Sequence, residues 1–202
     1  MKRLWILGAT ISGTILSNAA LPAGNAEVGA SKAVVCQACH GANGNSVNPE
    51  WPSLAGLGAD YIAEQLQNFK DGKRNSPVMM PMAAPLSPQD MADLGAYFGR
   101  LVNSGLEADR SYWQAGERLY RGGDKARGIP ACMACHGPTG HGNEPAKFPA
   151  LRGQQPVYTV KALNEYASGT RPPGPGGIMP TIVKRLSPDD IRDLSSYVEG
   201  LR

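Results

Sequence analysis

The sequence predicts an all-α chain made of two tandem copies of one small module, and three observations carry that expectation. Residues 51–74, "WPSLAGLGADYIAEQLQNFKDGKR", lie over residues 148–171, "FPALRGQQPVYTVKALNEYASGTR", without a gap. Pro52, Leu54, Gly56, Tyr61, Leu66 and Gly72 fall on Pro149, Leu151, Gly153, Tyr158, Leu163 and Gly169, and "LSPQDMADLGAYFGRL" at 86–101 returns as "LSPDDIRDLSSYVEGL" at 186–201. Apolar residues in these segments recur at helical spacing, Met91, Leu94, Phe98 and Leu101 in one copy and Ile191, Leu194, Val198 and Leu201 in the other. No stretch alternates as a half-buried strand does.

Each copy reads as helix, cysteine-containing word, loop, helix, loop, helix. The middle helix of the first copy is expected over about residues 61–70, with Ile62, Leu66 and Phe69 on one face and Gly72 as its stop. The last helix has Ser87 as N-cap, Pro88 at its first position and Asp90 where an acidic group favours a helix start. Residues 113–120 open the second copy as a helix, and 122–130, "GGDKARGIP", loop into its cysteine word. The expected organisation is a leader at 1–26, a first domain at 27–101, a linker at 102–111 and a second domain at 112–202. The core of that linker, "VNSGLEAD", is too short to let the domains move independently, so they should pack together. Modules of under about 100 residues have marginal side-chain cores.

The chain starts with Lys2 and Arg3, continues apolar from Leu4 to Leu16, and then turns to small residues. That is the layout of a secretory signal peptide, cleaved after Ala26 or earlier after Ala20 or Ala23. The alternative is a retained anchor, against which Gly8, Ser12, Gly13 and Thr14 dilute the apolar stretch. Nothing after Ala26 is long and apolar enough to span a bilayer.

The cysteine words are "CQACH" (Cys36, Cys39, His40) and "CMACH" (Cys132, Cys135, His136), and they use all four cysteines and two of three histidines. A redox Cys-x-x-Cys pair needs no following histidine and should sit in a strand-helix-strand pattern, which neither flank has. A zinc ribbon wants its pairs about 15 to 20 residues apart, whereas 92 residues separate Cys39 from Cys132. Covalent haem c explains every part: two sulfurs on one helical turn reach the porphyrin edge and the adjacent imidazole ligates iron. Two covalently bound haem c groups are therefore expected, and a buried porphyrin supplies the apolar core that each module lacks. Haem c is attached to reduced thiols outside the bacterial cytoplasmic membrane, which fits the leader and points to the periplasm.

An open sixth iron position would permit small-ligand chemistry, and a methionine thioether would close it and raise the reduction potential. Met179 lies eight residues before Ser187, and the same count back from Ser87 gives Met79. The cluster "MMPM" also offers Met80 and Met82, but the register supports Met79, with Met82 opposite Ile182 as packing. A ligating imidazole normally donates its free N–H to a carbonyl, and Pro52 and Pro149 follow the two histidines by 12 and 13 residues.

The order CxxCH, Pro-x-Leu-x-Gly, then Met ahead of Leu-Ser-Pro resembles class I cytochrome c, and the tandem arrangement is similar to the dihaem cytochrome c4 family over essentially the whole chain after the leader. The resemblance implies small helical domains, each around one haem c and related by pseudo-twofold symmetry. It also implies iron ligation by His40 with Met79 and by His136 with Met179, and Pro52 and Pro149 as histidine-orienting carbonyls. The run "SGTRPPGPGGIMP" at 168–180 departs from its counterpart by three extra residues, which leaves the Met179 loop geometry open.

After Ala26 the chain carries 18 Lys plus Arg and 17 Asp plus Glu, too balanced for a nucleic-acid binder. Residues 27–110 have net charge −3 and residues 111–202 net +4, an asymmetry that can orient the molecule on a charged partner, the alternative being an incidental distribution on a solvated surface. His141, in "GHGNE", reads as a solvent loop, Tyr61 and Tyr158 as packing on porphyrin or helix, and Lys70, Lys73 and Arg74 as a solvated basic helix end, the alternative being a pairing with a haem propionate or an acidic partner. The expected function is a non-enzymatic electron carrier between redox proteins. Donors would be a quinol-oxidising complex or periplasmic dehydrogenase and acceptors a membrane oxidase or reductase, with peripheral membrane association left open. The alternatives are the electron-accepting subunit of a dehydrogenase complex, or a haem enzyme acting on peroxide or sulfur compounds.

Overall fold

The computed structural model describes residues 22–201, so the leader expected at 1–26 lies largely outside the described residues. Among those described, the first copy forms α1 (Ala26–Lys32), α2 (Val34–His40), α3 (Ala59–Lys70), α4 (Met79–Ala83) and α5 (Pro88–Arg100). The second forms α6 (Trp113–Gly122), α7 (Met133–His136), α8 (Pro156–Ser168), α9 (Ile178–Val183) and α10 (Pro188–Gly200). No strand forms among them; two isolated bridges, Asp124 with Ile129 and Asn143 with Phe148, only close loops.

The helix ends follow from local chemistry. Ser87 and Ser187 each accept from the backbone N–H three residues on, while Asp90 and Asp190 accept from the two serine N–H groups, giving reciprocal capping boxes with proline at the first position. Asn25 caps α1 by accepting from Glu27 and Val28, and Gly169 ends α8 in the left-handed conformation.

In each module the first helix crosses the last, α1 on α5 and α6 on α10. The crossings depend on glycine: a Cβ on Gly29 would stand 2.0 Å from the Asp93 carbonyl oxygen, and one on Gly116 2.1 Å from that of Asp193. Such distances are far inside van der Waals contact, so the helices meet backbone to backbone. The expected apolar faces then pack as drawn from the spacing. Leu94 and Phe98 join Ile62 and Leu57 in one core, while Leu194, Val198 and Leu201 join Leu119, Tyr120 and Ile129 in the other. Met82 is the exception, 41 % exposed although Ile182 packs at the core edge, because Ala83 takes the buried face of the single turn α4.

Ion pairs tie the crossings. Lys32 meets Asp90 at 2.5 Å and Asp93 at 2.8 Å, and Arg127 from the loop before α7 grips Asp190 with two hydrogen bonds of 2.5 and 3.2 Å. Hydrogen bonds from Lys32 and then Ser87 hold the Asp90 carboxyl below its ordinary value, and Arg127 holds Asp190 at about 2 against an opposing effect of burial. A depressed carboxylate contributes stability that is complete above its unfolded value, near 3.9, and is lost as pH falls through its folded one. Stability to denaturant is therefore expected to decline between about pH 4 and pH 2, and Asp190→Asn should flatten that decline in the same titration.

The linker is strapped to both modules. Ser104 N–H donates to Asn45 at 2.9 Å, Leu106 N–H to the Glu199 carbonyl at 3.3 Å and Asp109 N–H to Ser196 at 2.9 Å. The modules also bond each other directly, as Tyr158 N–H donates to the Pro49 carbonyl and Ala59 N–H to Glu144. The packing expected from the short linker is thus present.

Candidate haem sites

A break at Ala33 separates α1 from α2, so Cys36 and Cys39 stand three residues apart on one turn and His40 closes it. The second word is a single turn, with Cys132 at its N-cap position and His136 its last residue. All four cysteine side chains are half-buried, Cys36 against the first core and Cys132 against the second. Burial pushes the Cys36 thiol up and Cys132 to about 11.

Both histidines are buried, and Nδ1 lies 2.8 Å from the Pro52 oxygen in His40 and 2.9 Å from the Pro149 oxygen in His136. A carbonyl only accepts, so Nδ1 carries the hydrogen and Nε2 keeps a lone pair free for a metal. Burial holds both imidazoles below their ordinary pKa, outweighing the opposing proline carbonyl. They are neutral near pH 7, as ligation requires.

Met79 opens α4, which packs on α3, and Met179 is the second residue of α9, which packs on α8. Both are half-buried. The extra residues of the second copy are taken up in a 3-10 turn at Pro175–Gly177, where Gly176 and Gly177 have φ of 66°. Only glycine adopts such a sequence of turns without strain, and behind it α9 starts at Ile178, one residue ahead of the position where α4 starts in the repeat register. His141 is exposed in its loop.

The sequence reading of Arg74 as a solvated helix end needs correction, and the two repeated tyrosines, of which Tyr61 packs against the first core as expected, also use their hydroxyls. Arg74 is buried rather than a solvated helix end, and it reaches across the module interface to the Tyr158 hydroxyl at 3.2 Å and Glu165 at 3.4 Å. Arg171, its partner in the repeat, reaches back to the Tyr61 hydroxyl at 2.6 Å. Each guanidinium also lies 4.7 Å over an aromatic ring of its own module, Phe69 for Arg74 and Tyr166 for Arg171. Burial drives the Tyr61 phenol up, whereas at Tyr158 Arg171 and Arg74 outweigh burial and hold it at about 8. The register of Arg74 and Arg171 was a usable signal. What it could not give was the direction in which either side chain points.

One feature of this cluster is incomplete on the protein side. The Nε and Nη1 atoms of Arg171 are buried and have no hydrogen-bond partner among the described residues. Glu165 Oε2 lies 3.9 Å from Nη1, an ion-pair distance but too long for a hydrogen bond, and a buried guanidinium with unmade hydrogen bonds is costly.

Paired Cys-x-x-Cys-His turns, buried histidines held by carbonyls and methionines in register define a tandem c-type cytochrome. The family model for cytochrome c matches residues 29–101 and again 114–202. The chain is 46 % identical to cytochrome c4 of Pseudomonas aeruginosa across 92 % of its own length and 93 % of that protein. It is 42 % identical to a thiosulfate dehydrogenase electron acceptor of Thiomonas intermedia, across 77 % and 73 % of the two chains. Its fold superposes on the crystal structure of reduced recombinant cytochrome c4 from Pseudomonas stutzeri with a TM-score of 0.86 and 44 % identity, covering 89 % of this chain and all of that one. The chain belongs to the cytochrome c4 family: it is an electron carrier with two covalently bound haem c groups.

Proposed function

We propose that the chain works in the periplasm, passing single electrons between redox proteins, with Cys36 and Cys39 holding one haem and Cys132 and Cys135 the other. His40 with Met79 and His136 with Met179 are the axial ligand pairs in this reading. The observation that carries it is the matched pair of histidine-to-proline bonds, which leave one imidazole nitrogen in each module available to iron. When bound, each haem supplies a ferric/ferrous couple. The protein's part is to hold two donors in place in both oxidation states: the carbonyls of Pro52 and Pro149 fix the rings, and burial keeps them neutral. The idle Arg171 donors fit a haem carboxylate at the module interface.

Export fits the way the first module starts. Ala23 accepts from Gln89 and Asn25 N–H donates to Asp93, so cleavage after Ala20 leaves that packing whole, while cleavage after Ala26 removes the α1 cap. No helix among the described residues is long and apolar enough to cross a membrane.

A second reading, the electron-accepting subunit of a dehydrogenase, is favoured by the likeness to the Thiomonas intermedia electron acceptor. In either role both irons should be closed. The test is the spectrum of the purified ferric protein, with haem per chain quantified beside the weak near-infrared sulfur-to-iron band. Two haems with full band intensity support methionine at both irons; half intensity or none overturns one or both ligand pairs.

A further inference from the structure

The two histidine-holding peptides are alike in their first hydrogen bond and unlike in their second. In the first module the Pro52 carbonyl that accepts from His40 belongs to the same peptide group as the Ser53 N–H, and that N–H donates to Gln154 Oε1 at 2.8 Å. Gln154 comes from the other module. Its Nε2 also donates to the Ser53 carbonyl at 2.9 Å, and Oε1 is fixed by a further bond of 3.0 Å from the Gln155 N–H. Ser53, Gln154 and Gln155 are all buried. In the second module the corresponding N–H, that of Ala150, meets no acceptor among the described residues. Leu57, which occupies the place of Gln154 in the first copy, has no side-chain acceptor to return the contact.

We propose that Gln154 is a positioning residue that acts across the module interface on the imidazole of His40. A peptide whose N–H is hydrogen-bonded is more strongly polarised, so its carbonyl becomes a better acceptor. The chain runs from His40 Nδ1–H to the Pro52 carbonyl, through the peptide to the Ser53 N–H, and on to Gln154. Its effect is to draw the Nδ1 hydrogen toward Pro52 and give the ring more anionic character. A more basic axial imidazole favours ferric over ferrous iron. The first haem is thereby held at a lower potential than its own ligands would set, and the docking of the second module is what sets it. This inference rests on His40 being an iron ligand.

The experiment uses the holoprotein with 15N-labelled histidine, fully reduced so that both irons are diamagnetic. The Nδ1–H resonances of His40 and His136 are recorded, and the two haems are then titrated by potentiometry. In the wild type both signals should carry the strong porphyrin ring-current shifts of iron ligands; a His40 signal without them rejects His40 as ligand whatever the variants do. Gln154→Met should move the His40 Nδ1–H upfield, leave His136 in place and raise the ferrous-to-ferric ratio of one haem about threefold at fixed poise. Gln154→Glu keeps an acceptor oxygen for Ser53 and should keep the His40 signal at or downfield of its wild-type position. Gln155→Met removes another contact of the same interface, the 2.5 Å bond to the Ser46 carbonyl, without touching the Ser53 amide. It should leave His40 unmoved. An unmoved His40 in Gln154→Met, or equal shifts in Gln154→Met and Gln155→Met, would overturn the proposal and reduce Gln154 to interface packing.

Discussion

Replacing Met179 with alanine is expected to leave two haems on the chain, halve the near-infrared sulfur-to-iron band and lower one of the two reduction potentials. The attachment residues Cys132 and Cys135 lie at the N-cap of α7 and within it, and Met179 on α9, so the covalent link does not depend on the thioether. A thioether donor favours ferrous iron, and its loss lets water or hydroxide in, which favours ferric. Because Met179 is only half-buried, the cost to folding should stay at about 1 to 2 kcal/mol. Met79→Ala should do the same to the other haem. If both haems titrate unchanged in Met179→Ala, the methionine register between the copies reflects packing alone and the ligand must be sought elsewhere.

The second large effect is expected at the interface. Arg171→Met removes a guanidinium whose side chain is 3 % exposed and which donates to Tyr61, leaving that hydroxyl and part of the Glu165 charge uncompensated. Breaking a buried charge cluster from one side costs about 3 to 5 kcal/mol. An opposing effect exists, because methionine has no desolvation penalty and Arg171 has two idle donors on the protein side. If a haem carboxylate meets those donors, the loss dominates: the unfolding free energy of the holoprotein should fall by that amount and both potentials should drop as a nearby cation disappears. A neutral or stabilising Arg171→Met would instead mean that no haem carboxylate meets the guanidinium. Arg74→Met is the matched comparison, since Arg74 makes the reciprocal contact to Tyr158.

What was readable in the sequence was local. The helix start at Ser87, which the structure completes as a capping box, needs a partner only three residues away, and the cysteine words place two sulfurs and an imidazole on one turn. Met79 and Met179 emerged from a register repeated twice, and the proline carbonyls from family resemblance. Both prolines lie at hydrogen-bonding distance from the expected histidines. The loop before Met179 was left open by its three extra residues, and glycines with positive φ explain how it closes.

Sequence by itself determined the module, its duplication, the chemistry of its cysteine words and the need for the two copies to pack. The tertiary structure decided which faces meet. Arg74 was read as a solvated helix end because its neighbours in sequence are Lys70 and Lys73, whereas its partners Tyr158 and Glu165 are 84 and 91 residues away. Gln154 and Gln155 carried no signal, since the repeat sets them opposite Leu57 and Gly58. Their partners, Ser53 and Ser46, lie 101 and 109 residues off. Periodicity and capping describe what a segment does to itself, while a buried hydrogen bond between two modules exists only once both have folded and docked.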